Sequence, residues 1–204
     1  MNMILSEKRI EEIYRKALRE AIDEIELFHG SGADFQEFDE AYMSTGEGRQ
    51  DYGYGFYLTT SKKTASAYAK GKYIYTVEVP EGRYLDNKSI PKAEAMSIAK
   101  KFFNYCITED EYRKEAYANC QKEFWEYECS TIASSSDGES VWGTIYSILG
   151  SDKDTSWFLN RIGYTGLKIY TDGGGDKFIN YVIFNPKDIK ITGKENCSDA
   201  SQTT

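Results

Sequence analysis

Histidine is almost missing from this chain: His29 is the single copy in 204 residues. One imidazole cannot build a multi-histidine metal centre, and any Ser-His or Cys-His nucleophilic enzyme would have to use it. Cysteine is sparse as well. Cys106, Cys120, Cys129 and Cys197 form no C-x-x-C pair, which leaves zinc-ribbon and thioredoxin-like readings without support. Four thiols in a chain of this length fall short of a disulfide scaffold, and reduced cysteines in a cytoplasmic protein are expected. Long apolar runs are lacking; none approaches the roughly 20 residues needed to cross a bilayer. The opening MNMILSEKRIEE turns charged too soon for a signal-peptide core. Positive charge is in deficit, with Lys+Arg 25 against Asp+Glu 33, a net charge of -8. A fold-wide phosphate-binding surface is thereby disfavoured, although a local basic patch is still allowed. Neither G-x-x-x-x-G-K-[ST] nor G-x-G-x-x-G occurs, which disfavours Walker and Rossmann enzymes.

What is abundant is tyrosine, 17 copies against 10 Phe and 3 Trp. Tyrosine packs through its ring yet keeps a hydroxyl, so it suits sites that grip flat polar ligands. Hydrophobic residues at 40% argue for a folded chain of one domain. Ile10, Ile13, Ala17, Ala21 and Ile25 recur at helical spacing and predict a helix over 6–25, capped by Ser6. ELFHGSG reads as a buried strand ending in a turn, and 33–53 as a long loop. YGYGFYLTTS contains a short strand and SKKTASAYAKG a short helix between Ser61 and Gly71, while KYIYTVEVP alternates like a strand closed by Pro80. Helical periodicity fills 91–130, with Tyr112, Ala116, Phe124 and Trp125 on a second helix. A loop at 134–140 and helices near 141–149 and 152–162 follow. TGLKIYT, FINYVIFN and DIKIT return to strands, and residues 193–204 read as a flexible tail. The layout predicts an α+β fold with a mostly antiparallel split sheet in one domain over 1–192. The helical block at about 86–160 forms an insertion or covering layer.

Two strings carry residues suited to chemistry. His29 stands at the end of a strand and is followed at once by Gly30, Ser31 and Gly32. A lone histidine is most often satisfied by a backbone carbonyl; glycine beside it, however, lets a ligand approach the main chain closely. In the second string Gly53 and Gly55 bracket Tyr54, Tyr57 falls on the next strand and Tyr68 on the helix after it. Tyrosines packed into a core beside a glycine turn are the plain alternative. Arg49, in STGEGRQDY, is suited to a pyrophosphate because guanidinium matches phosphate oxygens with two donors, although a solvated loop is an equal reading. Asp34, Phe35, Phe38 and Asp39 are expected to pack and cap the 44–52 loop rather than contact ligand.

Taken in order, ELFHGS, GYGFYLT, TASAYA, YTVEV and NYVIFNPKDIKI resemble the ADP-ribosyltransferase superfamily, in its diphtheria-toxin and poly-ADP-ribose-polymerase branch. FHGSGADFQEFDEAYMSTGEGRQDYGYGFYLT is especially similar to the transferase domains of phage and mobile-element polyvalent proteins. The resemblance covers about 26–80 and 157–191, and neither the N-terminal helix nor the 86–150 block. It implies NAD+ as substrate and no metal. Tyr57 and Tyr68 match the rings that hold nicotinamide, His29 the histidine that bonds a ribose hydroxyl, and the Gly30 backbone the group that fixes the carboxamide. Ser31 is the polar neighbour of Gly30. The implied reaction breaks the nicotinamide–ribose bond through an oxocarbenium-like state, which a carboxylate stabilises.

The chain departs from that pattern at one position. The branch carries a His-Tyr-Glu triad, and its glutamate position is occupied here by Asn180, which supplies no negative charge. In the superfamily this loss goes with mono-ADP-ribosyl transfer, sometimes with none. Asp172 in TDGGGDKF is the first candidate for a compensating carboxylate and Asp176 the second. The expectation is therefore a cytoplasmic mono-ADP-ribosyltransferase, with Asp172, Asn180 and Tyr57 in the reaction and His29, Gly30, Ser31, Tyr57, Tyr68 and Arg49 binding NAD+. The acceptor is expected to be a protein more readily than a nucleic acid, with no membrane involved, and the role that of a toxin or anti-CRISPR-type effector. A non-catalytic NAD+ or ADP-ribose-binding module and an NAD+ glycohydrolase are the alternatives.

Overall fold

A computed structural model describes residues 23–43, 52–173 and 176–197. Strand β1 (Glu24–Ser31) pairs antiparallel with β3 (Tyr73–Pro80) along its full length, and β3 carries β7 (Lys190–Asn196) on its other side. Strand β6 (Asp176–Ile183) pairs antiparallel with β2 (Phe56–Thr59) and with β5 (Gly166–Gly173). The short β4 (Tyr84–Asp86) lies parallel to β5. The result is a seven-stranded sheet in the order β4-β5-β6-β2-β1-β3-β7. At its centre β1 and β2 share a single Cα rung, Phe28 with Thr59. The sheet is thus two half-sheets joined at one point, the split α+β architecture expected from the sequence.

Alternation along the strands sorts the side chains. Leu27, Leu58, Tyr75, Val77, Val79, Tyr181 and Ile183 bury one core. On the other face Leu85, Leu167, Ile169 and Val182 meet the helical block. That block begins with α2 (Lys92–Thr108), after α1 (Lys62–Tyr68) has covered β1. It continues through α3 (Lys114–Ala118), α4 (Gln121–Phe124), a π turn at Trp125–Cys129 and α5 (Ser130–Ser134). It ends in α6 (Gly138–Leu149) and α7 (Asp152–Arg161). Ile98, Phe102, Ile132, Ile145, Phe158 and Leu159 are fully buried between helices and sheet, each contributing about 1.5–3 kcal/mol by removal from water. The helices share their core with β4, β5 and β6 and form a covering layer on that half-sheet.

Several expectations need correction. Residues 6–22 of the N-terminal helix lie outside the described residues, but its last turn does not exist: Glu24 and Ile25 open β1, with Ile25 opposite Val79. EIEL alternates with period two, and pairing with β3 uses that period. Gly193–Asn196, expected in the tail, continue β7 against Tyr73–Thr76, and residues 198–204 lie outside the described residues. An edge strand without a buried residue has no apolar run to announce it. Glycine also hid the start of α6. The helix opens at Gly138, with the Asp137 carboxylate accepting from the Ser140 N–H at 2.7 Å. The expected second helix around Tyr112–Trp125 is broken into short pieces with a π turn, and β4 adds a strand that its three residues could not signal.

All four cysteines are free. Burial pushes the Cys129 thiol up to about 12 and raises Cys106 further in the same direction, so both are unreactive core residues.

Candidate active site

The single rung between β1 and β2 decides what His29 can do. Immediately beyond that rung the ladder stops and a side chain takes over: His29 Nδ1–H donates to the Tyr57 carbonyl at 2.9 Å. A carbonyl only accepts, so the proton sits on Nδ1 and the neutral ring keeps Nε2 as an acceptor. Burial lowers the imidazole pKa from its ordinary 6.5, while the carbonyl bond pulls it up. Edge-on contacts from Phe35 (centroids 6.1 Å) and Phe38 (5.2 Å) hold the ring plane. Phe35 is fixed in turn by Tyr75, which stacks on it at 4.2 Å, and Phe38 by its edge contact with Phe35 at 5.0 Å. The Tyr75 hydroxyl accepts from the Phe35 N–H and donates to the Ala33 carbonyl. Asp39 caps the 3-10 turn Glu40–Tyr42 and Asp34 pairs with Lys194 at 2.7 Å, and the 44–51 stretch of the loop they are expected to cap lies outside the described residues.

Gly30 is where α1 touches the sheet. A Cβ there would stand 1.8 Å from the Ala65 carbonyl oxygen and 2.8 Å from the Ala69 amide nitrogen. Only a glycine admits the helix this closely. Ser61 caps α1, its hydroxyl accepting from the Thr64 N–H at 3.1 Å, and the helix carries Tyr68, which is 60% exposed. Ser31 uses its hydroxyl oxygen locally, accepting from the Ala33 N–H at 3.1 Å.

Tyr57 stands on β2 opposite Val182, and Thr59 opposite Asn180. Directly opposed residues share a face, so Tyr57, Thr59 and Asn180 line the face that meets the helical block. Phe28, opposite Thr59, extends that face onto β1 beneath α1. The Tyr57 hydroxyl is held at both ends, donating to the Gly53 carbonyl at 2.9 Å and accepting from the Tyr52 N–H at 3.1 Å. Asn180 is also opposite Ile169 on β5, where Asp172 pairs with Lys177 three rungs further along, and Asp176 with Gly173. Arg49 lies outside the described residues.

The fold therefore brings His29, Gly30, Ser31, Tyr57 and Asn180 to the junction of the half-sheets, with Tyr68 on the helix laid across it. Among the described residues, no group of three or more His, Cys, Asp or Glu side chains is placed to hold a metal ion. No helix among them is long and apolar enough to cross a membrane. Two site contributors went unread in the sequence. Tyr75 reads in the sequence only as a strand residue, and Trp142, whose indole lies against Gly53, carries no local signal of a part in the site. Their alternation and helical spacing signal burial, and nothing local signals the partner.

A split sheet with a histidine at the end of its first strand, crossed by a tyrosine strand and its following helix, is the arrangement of an ADP-ribosyltransferase-type domain. The chain matches the family model for ADP-ribosyltransferases in polyvalent proteins over residues 24–198, and it belongs to that family. Domains of this family use NAD+ as their substrate. Comparison with the curated proteins and with the solved structures returned no match.

Proposed function

We propose that this protein is a mono-ADP-ribosyltransferase that cleaves NAD+ at the nicotinamide–ribose bond and passes ADP-ribose to a protein acceptor. The observation that carries the reading is the neutral His29 clamped at the half-sheet junction, with Nε2 left as an acceptor for a ribose hydroxyl. Gly30 offers main chain for the carboxamide, and Tyr57 and Tyr68 supply the ring faces for nicotinamide. Nicotinamide leaves as a neutral molecule, so the protein need not supply a strong acid. The positive charge on ribose calls for a carboxylate instead. Asn180 at the glutamate position orients a hydroxyl without charge, and Asp172 is the carboxylate we assign to compensate, with Asp176 as the second choice. Arg49 completes the site at the pyrophosphate.

The acidic balance of the chain, -8 overall, favours a basic protein surface over a nucleic acid as acceptor. The biological role we propose is cytoplasmic interference with a bacterial or phage pathway, as a toxin or an anti-CRISPR-type effector.

Asn180 itself supports a second reading, a module that binds NAD+ or ADP-ribose without chemistry. Incubation with labelled NAD+ and lysate separates the two. Nicotinamide release with macromolecular labelling supports transfer, and release alone indicates a glycohydrolase. Binding without release would sink the enzyme and leave the module.

A further inference from the structure

One contact of the helical block with the candidate site falls at Gly53. Gly53 has φ +103, and a Cβ on it would stand 2.7 Å from Trp142 Cζ2 and 2.9 Å from Cε2. The backbone of Gly53 is thus seated on the indole plate in a conformation that favours glycine. The carbonyl of that residue receives the Tyr57 hydroxyl, whose oxygen in turn accepts from the Tyr52 N–H. On the far side the indole stacks on Tyr146 one helical turn later, with centroids 5.2 Å apart and planes 7° apart. The plate cannot drift, because α6 buries Val141, Ile145 and Leu149 in the core. The indole N–H is itself buried and, among the described residues, has no hydrogen-bond partner. The next helix adds a second hold, with Lys153 pairing with Glu40 at 3.2 Å and standing 5.6 Å from the Tyr54 ring.

We propose that Trp142 is a positioning residue: its indole holds Gly53 in the conformation that fixes the Tyr57 hydroxyl, so the helical block tunes NAD+ binding as well as covering the sheet. The proposal rests on the transferase reading above. Full-length Trp142→Ala, Trp142→Phe and, as a control, Trp157→Ala are compared in two measurements. The first is amide hydrogen exchange of peptides covering 52–57, which needs no activity. Trp142→Ala is expected to speed exchange there about tenfold while β5 and β6 stay protected. The second is the kinetics of nicotinamide release. Trp142→Ala is expected to raise KM for NAD+ roughly fivefold with kcat little changed, and Trp142→Phe to restore KM. Trp157→Ala should alter neither measurement. Unchanged exchange at 52–57 overturns the brace whatever the activity. Faster exchange with unchanged KM, or failure of Trp142→Phe to restore KM, overturns the positioning role. If the wild type binds NAD+ without cleaving it, the transferase reading fails alone and NAD+ affinity replaces KM in the same comparison. If it does neither, both fall. Should Trp142→Ala not fold, Tyr146→Ala removes the supporting ring from a position 40% exposed and is expected to act in the same direction.

Discussion

The Nδ1–H of His29 donates to the main-chain carbonyl of Tyr57 at 2.9 Å, tying the side chain of one half-sheet to the backbone of the other. The two residues are 28 apart in sequence, and their bond stands just beyond the last rung that β1 and β2 share. The junction is therefore closed by an imidazole that must stay neutral and correctly protonated to present Nε2.

That requirement has a pH signature. Burial lowers the His29 pKa below its ordinary 6.5. As pH falls, the unfolded chain takes up the proton before the folded one does. The contribution of His29 to stability is present above about 6.5 and is lost as pH falls from there through the lowered folded value. Urea titrations of the wild type and His29→Gln between pH 7.5 and 5 should show a loss in the wild type that the variant lacks. Parallel curves would mean that His29 is not held neutral by the fold.

Gly30→Ala places a methyl group 1.8 Å from the Ala65 carbonyl oxygen. Both contacts are backbone, so α1 has to move off β1. A loss of about 1–3 kcal/mol is expected, the cost of forcing an extra group into a packed contact. Tyr68 moves with the helix, so NAD+ affinity should fall as well. Chemical denaturation and calorimetry read the two effects separately.

Tyr57 and Tyr68 should respond in opposite ways. Tyr57→Phe keeps the ring and removes the bonds to Gly53 and Tyr52, which costs about 1–3 kcal/mol of stability for the pair. Tyr68 is 60% exposed, so Tyr68→Ala should change stability by no more than about 0.5 kcal/mol. Its loss should weaken NAD+ binding roughly twofold to tenfold, the range of a lost aromatic stack. A Tyr68→Ala variant with unaltered affinity would remove that ring from the site.

The proposed compensation of Asn180 by the Asp172 carboxylate is testable by exchange. Asp172→Ala is expected to slow nicotinamide release about tenfold or more, equivalent to about 1.4 kcal/mol of transition-state stabilisation. Adding Asn180→Glu in that background should recover rate, since the carboxylate then stands at the triad position. Full activity in Asp172→Ala would shift the assignment to Asp176, for which the same pair of variants applies.

The strands that carry the site were legible because short-range patterns specify them. YIYTVEV alternates, Ser61 and Gly71 bracket a helix, and His29-Gly30-Ser31 ends a strand, all from local chemistry. The weaker elements failed for equally local reasons. The end of β7 past Thr192 buries no residue, β4 has three residues in all, and Ile25 satisfies a helical and a strand period together. Glycine after His29 predicts room for a ligand; Gly30 also gives room to α1, a distinction that local sequence does not carry.

By itself, then, the sequence determined the residue types and their order: a single histidine before glycine, a tyrosine strand, a tyrosine helix, and an asparagine at position 180. It ruled out a multi-histidine metal centre because one imidazole cannot form one. Only the tertiary structure decided how those residues are held. The Nδ1 proton is set by the Tyr57 carbonyl, the His29 ring by Phe35 and Phe38, and the Tyr57 hydroxyl by a glycine seated on Trp142. These are contacts between segments distant along the chain, and they come into being when β1, β2 and the helical block bury a common surface.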